Sequence, residues 1–166
     1  MVSGAQSGPA PDSFAHPILL YDGVCGLCNR MVQFILRHDP AGLFRFASLQ
    51  SPLAERILAR HGADAADLDA VYVVVHCDQA DEVAFSRSAA VIFVLTHLRT
   101  GELRSGGQPK AVVPTFWRLA GLLLQLVPRR LRNWGYGVVA RNRYRVFGRY
   151  DSCPIPSEET RNRFIA

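Results

Sequence analysis

The chain has 166 residues, of which 49% are hydrophobic and 20% are charged, and its formal net charge is +5. This length and composition fit one compact globular domain with a core of its own, which excludes a short, cysteine-dense disulfide scaffold. No apolar run is long enough to cross a bilayer. The Pro- and Gly-rich residues 1–15 lack the basic and apolar regions of a secretory signal and are predicted to be a disordered tail, so we expect a cytoplasmic protein.

The first half of the chain predicts alternating strands and helices. Apolar runs behind a proline and before a turn indicate strands, and apolar residues at helical spacing indicate helices. Helix ends are marked by Asp39-Pro40 and by Gly62, and Ser51 is the expected cap of the second helix. The predicted elements are a strand at 16–21, a helix at 27–38, a strand at 43–47 and a helix from Pro52 to about His61.

The second half predicts a β-hairpin followed by helices. The β-branched run 70–76 is joined to a strand at 82–85 by a link too short for a crossover, so the two strands are expected to be antiparallel. Ser86 is the expected cap of the next helix. After a Gly-rich loop at 101–110, helical patterns cover 115–127 and, beyond a break at Pro128, about 131–144.

This order of elements predicts an α/β fold: a thioredoxin-like mixed four-stranded sheet flanked by helices, with a helical C-terminal extension from about residue 112. We expect a single domain over residues 16–156 and a C-terminal tail over 157–166.

Two cysteines three residues apart, Cys25 and Cys28, lie between the first strand and the first helix. In a reducing compartment such a pair is more often catalytic, redox-sensing or metal-binding than structural. Cys25 is expected at the helix N-terminus, where free N–H groups and the helix dipole lower a thiol pKa, so it would be the attacking sulfur. Cys28, one turn inside, is expected to be more buried and to resolve the mixed disulfide. Gly26 would leave the site open to substrate.

Asp22 closes the first strand and precedes the cysteines. It could accept a proton from Cys28 through a water molecule, or it could only stabilise the turn as an Asx cap. Both interpretations are open from the sequence.

Two further cysteines leave other readings open. Cys153 could be a third thiol or a metal ligand, although a packing role is favoured, and Cys77 lies where a strand ends. A structural zinc site needs four ligands, usually from two Cys pairs, and the chain has one such pair. A site of Cys25, Cys28, Cys153 and a histidine is therefore the main alternative to a redox pair, as a non-enzymatic metal-binding or interaction module.

The C-terminal segment is strongly basic, since residues 129–150 contain seven arginines and no acid. Such a segment could lie on an anionic membrane with the help of neighbouring apolar residues. Nucleic-acid binding is disfavoured because the aromatic residues follow no known module pattern. The favoured interpretation is a solvated amphipathic helix that closes the domain. The seven are Arg129, Arg130, Arg132, Arg141, Arg143, Arg145 and Arg149.

Residues 18–50, which include Tyr21-Asp22-Gly23-Val24-Cys25-Gly26-Leu27-Cys28, resemble the opening of the thiol–disulfide oxidoreductase DCC family. Ser88-Ala89 and the late stretch from Tyr136 to Cys153, including Ala140–Tyr144, resemble it too. The resemblance implies that Asp22, Cys25 and Cys28 are the signature residues of a thioredoxin-like redox protein. Unlike thioredoxins, residues 67–70 contain no proline before the third strand, so the substrate-binding wall is expected to differ.

These observations predict an oxidoreductase that exchanges dithiol and disulfide, with Cys25 attacking, Cys28 resolving and Asp22 assisting proton movement. No bound cofactor is expected, because the pair carries the electrons. The expected partners are a protein disulfide or a low-molecular-weight thiol, with electrons from an external thiol reductant.

Overall fold

The computed structural model describes residues 15–64, 69–98, 115–151 and 158–165. Four strands and five helices alternate in the predicted order, and a short 3-10 helix, Arg161–Arg163, lies near the C-terminus. The strands are β1 (Ile18–Tyr21), β2 (Arg45–Ser48), β3 (Tyr72–Val75) and β4 (Val83–Ser86). The helices are α1 (Gly26–His38), α2 (Pro52–Arg60), α3 (Ser88–His97), α4 (Thr115–Leu126) and α5 (Arg129–Phe147).

The strands form one mixed sheet in the order β2-β1-β3-β4. β1 and β2 are parallel, with Leu19 opposite Phe46, whereas β1 is antiparallel to β3. β3 and β4 form the predicted antiparallel hairpin. The α/β class and the mixed four-stranded sheet with flanking helices are thus confirmed, and β1 lies at the centre with its end directed at the cysteine pair.

Both faces of the sheet are covered because successive side chains of a strand point to opposite faces. Ile18 and Leu20 pack with the apolar side of α2, in a cluster that includes Ile57. Leu19 and Tyr21 pack on the other face, in a cluster with residues of α1 and α3. The sheet therefore holds α1, and with it the two cysteines, against the core.

The start of α3 differs from the prediction. Ser86 was expected to cap this helix, but it is the last residue of β4 and pairs with Tyr72. Arg87 takes a left-handed conformation with φ 53°, and the helix begins at Ser88 without a side-chain cap. Ser86 cannot both pair in the sheet and cap α3, and in this structure it pairs in the sheet.

The helical extension is confirmed. α4 packs against α3, and α5 packs against both α1 and α3. Proline at position 128 separates the two helices, as predicted, and stands as the N-cap residue of α5. Within the described part of the chain, no helix combines the length and the apolarity that a membrane crossing requires.

The C-terminal tail expected at 157–166 is wrong for residues 158–165. The N–H of Ile165 donates to the carbonyl oxygen of Phe46 at 2.8 Å, which places this segment along β2. Arg163 pairs with the buried carboxylate of Asp39 at 2.5 Å. Burial of Ile165 and this ion pair explain why the segment is held to the domain. Residues 1–14 of the predicted N-terminal tail lie outside the described residues, and the domain boundary at residue 16 stays a prediction.

Candidate functional site

The cysteine pair stands where β1 gives way to α1. Cys25 has an extended backbone and is the N-cap residue of α1, and its sulfur accepts a hydrogen bond from the N–H of Cys28 at 3.3 Å. Both thiols are free. An N-cap position normally taken by Ser, Thr, Asp or Asn is thus taken by sulfur, which faces the unpaired N–H groups of the first turn.

The thiols of Cys25 and Cys28 have very different pKa values. The hydrogen bond from the Cys28 side chain, helped by backbone N–H groups and the charge of Arg143, lowers the pKa of Cys25 from 9.0 to about 6 despite its burial. The same hydrogen bond, burial and the charges on Cys25 and Asp22 raise the pKa of Cys28 well above its ordinary range. Near neutral pH the pair therefore carries one thiolate, on Cys25, and one thiol, on Cys28.

Both cysteines are buried, and the deeper burial expected for Cys28 stays a prediction. Cys25 is 0% exposed, whereas Cys28 is 7% exposed and lines a cavity. Cys25 is covered by Gly148–Tyr150, the residues after α5, which we call the strap. In the strap, Arg149 forms an isolated antiparallel β-bridge with Cys25, and the N–H of Tyr150 donates to the carbonyl of Val24 at 2.8 Å.

Gly26 does not leave the site open, which corrects the prediction. Its N–H donates to the carbonyl of Gly148 at 3.1 Å, and a Cβ built on it would lie 2.1 Å from the carbonyl oxygen of Phe147. Glycine is therefore needed here so that the end of α5 and the strap can approach the first turn of α1.

Asp22 is 0% exposed, and its two oxygens have different partners. Oδ1 accepts from the N–H of Val24 at 3.2 Å and from the Gln50 amide at 2.9 Å, the first of which is the Asx turn considered from the sequence. Oδ2 accepts from the hydroxyl of Tyr144 and lies 3.5 Å from the guanidinium of Arg143. The turn interpretation therefore accounts for only one of the two oxygens, and the other oxygen joins a network from α5.

Arg143 and Tyr144 are the residues that sequence reasoning missed. Arg143 is 3% exposed; it donates to Asp69 at 2.6 Å and to the hydroxyl of Tyr144 at 3.0 Å. The sequence predicts a solvated arginine here, but the structure buries Arg143 and compensates its charge with Asp22 and Asp69. The helical spacing of Tyr136, Ala140 and Arg143, which puts them on one face, is the signal that could have found it.

The wall opposite the cysteines is built by α5. No peptide bond in the described residues is cis, and the N–H of Val71, just before β3, donates to the hydroxyl of Tyr136 at 3.0 Å. Burial raises the pKa of Tyr136 to about 12, so the phenol stays protonated. A tyrosine from the helical extension thus contacts the backbone just before β3, and the expected difference in the substrate-binding wall stays a prediction.

A cavity of about 510 Å³ lies between α1, α3 and α5 and reaches Cys28. Its walls are almost entirely apolar, with Met31, Ile92 and Val139 among the lining residues. The Nε atoms of Arg132 and Arg143, two further lining residues, are buried without a hydrogen-bond partner. Such a concave, apolar space with a few polar groups is typical of small-molecule sites, whose volumes run to about 300–1,000 Å³.

Cys77 lies apart from this site, in the core cluster on the other face of the sheet. Cys77 is buried, and burial raises its pKa to about 12. With Asp78 and Glu82 it makes the single group of three possible metal ligands found among the described residues, but Arg60 and His61 both bind Glu82. Cys153 lies outside the described residues, so the four-ligand zinc hypothesis stays a prediction.

The chain matches the family described as "DCC1-like thiol-disulfide oxidoreductase" over residues 19–105. It is 35% identical to the uncharacterized protein YuxK of Bacillus subtilis (strain 168), over 93% of this chain and 97% of that protein. It is 34% identical to the DCC family protein At1g52590, chloroplastic, of Arabidopsis thaliana, over 84% of this chain and 70% of that protein. No solved structure matches the chain significantly.

Proposed function

The chain belongs to the family of DCC1-like thiol-disulfide oxidoreductases, which confirms the resemblance, and we propose on this premise that it is an enzyme exchanging dithiol and disulfide through Cys25 and Cys28. The observation that carries the proposal is the hydrogen-bonded pair itself. One sulfur caps α1 and ionises with a pKa of about 6, and the other remains a thiol beside it. A reactive thiolate and a proton-bearing partner are the two groups that the reaction needs.

Cys25 is the attacking sulfur of the proposed reaction. Its thiolate attacks one sulfur of a substrate disulfide, a bond forms between them, and the other substrate sulfur leaves as a thiolate. The thiol of Cys28 then loses its proton and attacks the Cys25 sulfur, which releases the second substrate thiolate and leaves a Cys25–Cys28 disulfide. The low pKa of Cys25 supports the first step, because the attacking thiolate is present, and it supports the later reduction of the Cys25–Cys28 disulfide, because Cys25 then leaves readily as a thiolate.

Asp22 assists the movement of the Cys28 proton in this proposal. Its buried carboxylate is near enough for its charge to raise the pKa of Cys28, and the Tyr144 hydroxyl and the Gln50 amide fix its orientation. Arg143 and Tyr144 are positioning residues, since they act through Asp22 and through the charge on Cys25.

Access to Cys25 requires displacement of the strap. Two backbone hydrogen bonds, from Gly26 to Gly148 and from Tyr150 to Val24, hold it in place. A protein disulfide that pairs with this backbone could replace those bonds, which favours a protein substrate at the Cys25 side. Electrons then come from an external thiol reductant. The cytoplasmic location and the membrane association of the basic helix stay predictions.

The test is disulfide trapping with a peptide disulfide of known sequence. Cys28→Ser is expected to accumulate a mixed disulfide at Cys25, because resolution is lost, and Cys25→Ser is expected to form none at a comparable rate. Cys77→Ser is the matched control and should react like the wild type, since Cys77 lies in the other core cluster. Peptide mass spectrometry locates the adduct. Equal trapping by the Cys25 and Cys28 variants would contradict the assignment of roles.

A further inference from the structure

The cavity beside Cys28 points to the class of the external reductant. We infer that this cavity binds a small apolar thiol carrying an acidic or other hydrogen-bond-accepting group, and that this thiol attacks Cys28 of the oxidised protein. The inference rests on the proposed function, because it supplies the second half of the same redox cycle. It assigns the two sides of the cysteine pair to two different partners.

The first support is the position of the sulfurs. Cys28 lines the cavity, whereas Cys25 is fully buried beneath the strap. A thiol in the cavity therefore meets the sulfur of Cys28 and not that of Cys25. Nucleophilic attack on a disulfide is fastest when the departing sulfur forms the more stable thiolate. Attack at Cys28 expels Cys25, which is the sulfur held by the N–H groups of α1 and by the Cys28 side chain.

The second support is the lining of the cavity. Leu27 and Met31 of α1, Val91 and Ile92 of α3 and Val139 of α5 form an apolar space of about 510 Å³. Such a surface favours an aliphatic or aromatic body, since each buried methylene group strengthens binding by about fourfold. A strongly polar thiol, such as a peptide with several amide and carboxylate groups, would leave most of those groups without hydrogen-bond partners in this cavity.

The third support is a pair of buried N–H groups without partners. Nε of Arg132 and Nε of Arg143 make no hydrogen bond, and both residues line the cavity. A buried, unpaired N–H group on a cation is costly, and an acceptor on a ligand would satisfy it. Arg143 is already paired with Asp22 and Asp69, so Arg132 is the residue toward which an anionic group is expected to lie.

The chemistry balances with two equivalents of thiol. The first thiolate bonds to the Cys28 sulfur, the Cys25–Cys28 bond breaks, and Cys25 leaves as a thiolate. A second thiolate attacks the ligand sulfur of that mixed disulfide and releases Cys28, which takes up a proton. Two thiols are oxidised to one disulfide, and the protein disulfide is reduced to the thiolate–thiol pair.

The experiment compares mercapto-octanoic acid with mercaptopropionic acid as reductants of the oxidised full-length protein. Both are alkyl thiols with a carboxylate, and their rates with oxidised glutathione correct for intrinsic reactivity. We expect the longer thiol to be faster by about tenfold or more, because it buries additional methylene groups. Rapid acid quenching and peptide mass spectrometry should find the mixed disulfide on Cys28.

Gly135→Leu is the variant that fills the cavity. Gly135 lines the cavity, and a Cβ built on it meets no atom within 4 Å, so the side chain enters open space. It should abolish the advantage of the longer thiol, so that the corrected rates of mercapto-octanoic acid and mercaptopropionic acid agree within about twofold. The control is Gly137→Leu, two residues along α5, which adds the same side chain outside the cavity lining beside the exposed Arg141.

Arg132→Met tests the acceptor group. It should lower the preference for mercapto-octanoic acid over mercapto-octanol by about fivefold or more, because the charged hydrogen-bond donor is lost. Any of three results would overturn the inference and leave the proposed function intact. They are equal corrected rates of reduction by the two acids, rates that Gly135→Leu does not change, and an adduct found on Cys25. If no thiol reduces a Cys25–Cys28 disulfide, the proposed function fails as well.

Discussion

The hydrogen bond from the Cys28 side chain should account for a large part of the lowered pKa of Cys25. This pKa lies at about 6 instead of 9.0, which corresponds to about 4 kcal/mol in favour of the thiolate. The largest contribution is the hydrogen bond from the Cys28 side chain. A hydrogen bond to a charged group is worth about 1.5–3 kcal/mol, so its loss should raise the pKa by about 1–2.

Cys28→Ala and Cys28→Ser separate this contribution from the others. Both variants keep the backbone N–H of residue 28, which also donates to the Cys25 sulfur. In Cys28→Ala the pKa of Cys25 is expected to rise to about 7–8, because the side-chain donor is gone. In Cys28→Ser a hydroxyl remains as a donor, so the pKa should stay closer to that of the wild type.

The measurement is the Cβ chemical shift of labelled cysteine followed by NMR across pH in the reduced protein. It is suited to Cys25 because it requires no reagent to reach a buried sulfur. An unchanged pKa in Cys28→Ala would refute the reasoning. An equal rise in both variants would show that the thiol acts by something other than its hydrogen bond.

Three further outcomes are expected. Because the pKa of Cys25 is lower in the folded than in the unfolded protein, the stability that its thiolate contributes is lost as pH falls toward about 6. In chemical denaturation, the free energy of unfolding of the reduced protein should therefore rise by about 2 kcal/mol from pH 6 to 8. The Cys25→Ser variant should show no such rise. Gly26→Ala should lower the free energy of unfolding by about 1–3 kcal/mol or expose Cys25 to alkylation, because the new Cβ meets a backbone carbonyl. The control Gly135→Ala should not lower the free energy of unfolding, because its Cβ meets no atom. Equal stability of the two variants would contradict this packing. Arg163→Met should cost about 3–5 kcal/mol in the same assay, because the Asp39 carboxylate stays buried without its cation, and a negligible loss would place residues 158–165 off the domain.

The sheet and the location of the cysteine pair could be predicted because their signals are local. The run that forms β1 is continuous and apolar, the turn at Asp22 follows it at once, and α1 shows its apolar spacing within thirteen residues. Ser51 and Pro52 likewise start α2 as expected, with the Ser51 hydroxyl accepting from the N–H of Ala54. Each of these features depends on neighbours within a few positions.

The features that complete the site could not be predicted because they depend on distant partners. The hydrogen bond between Tyr144 and Asp22 joins residues 122 positions apart, and no periodic pattern encodes it. Arg143 lies in a run of arginines typical of a solvated helix face, and only the acids that surround it in the fold explain its burial. The covering of Cys25 by the strap could not be predicted for the same reason: the strap comes from the far end of the chain.

The most direct test of the redox assignment is a titration of the wild-type protein against a series of thiol–disulfide buffers, read by mass spectrometry. The account predicts a reversible two-electron couple in which Cys25 and Cys28 lose two hydrogens together and regain them on reduction. A pair that stays reduced across the whole series, or that oxidises only with Cys77 or to sulfur acids, would contradict it.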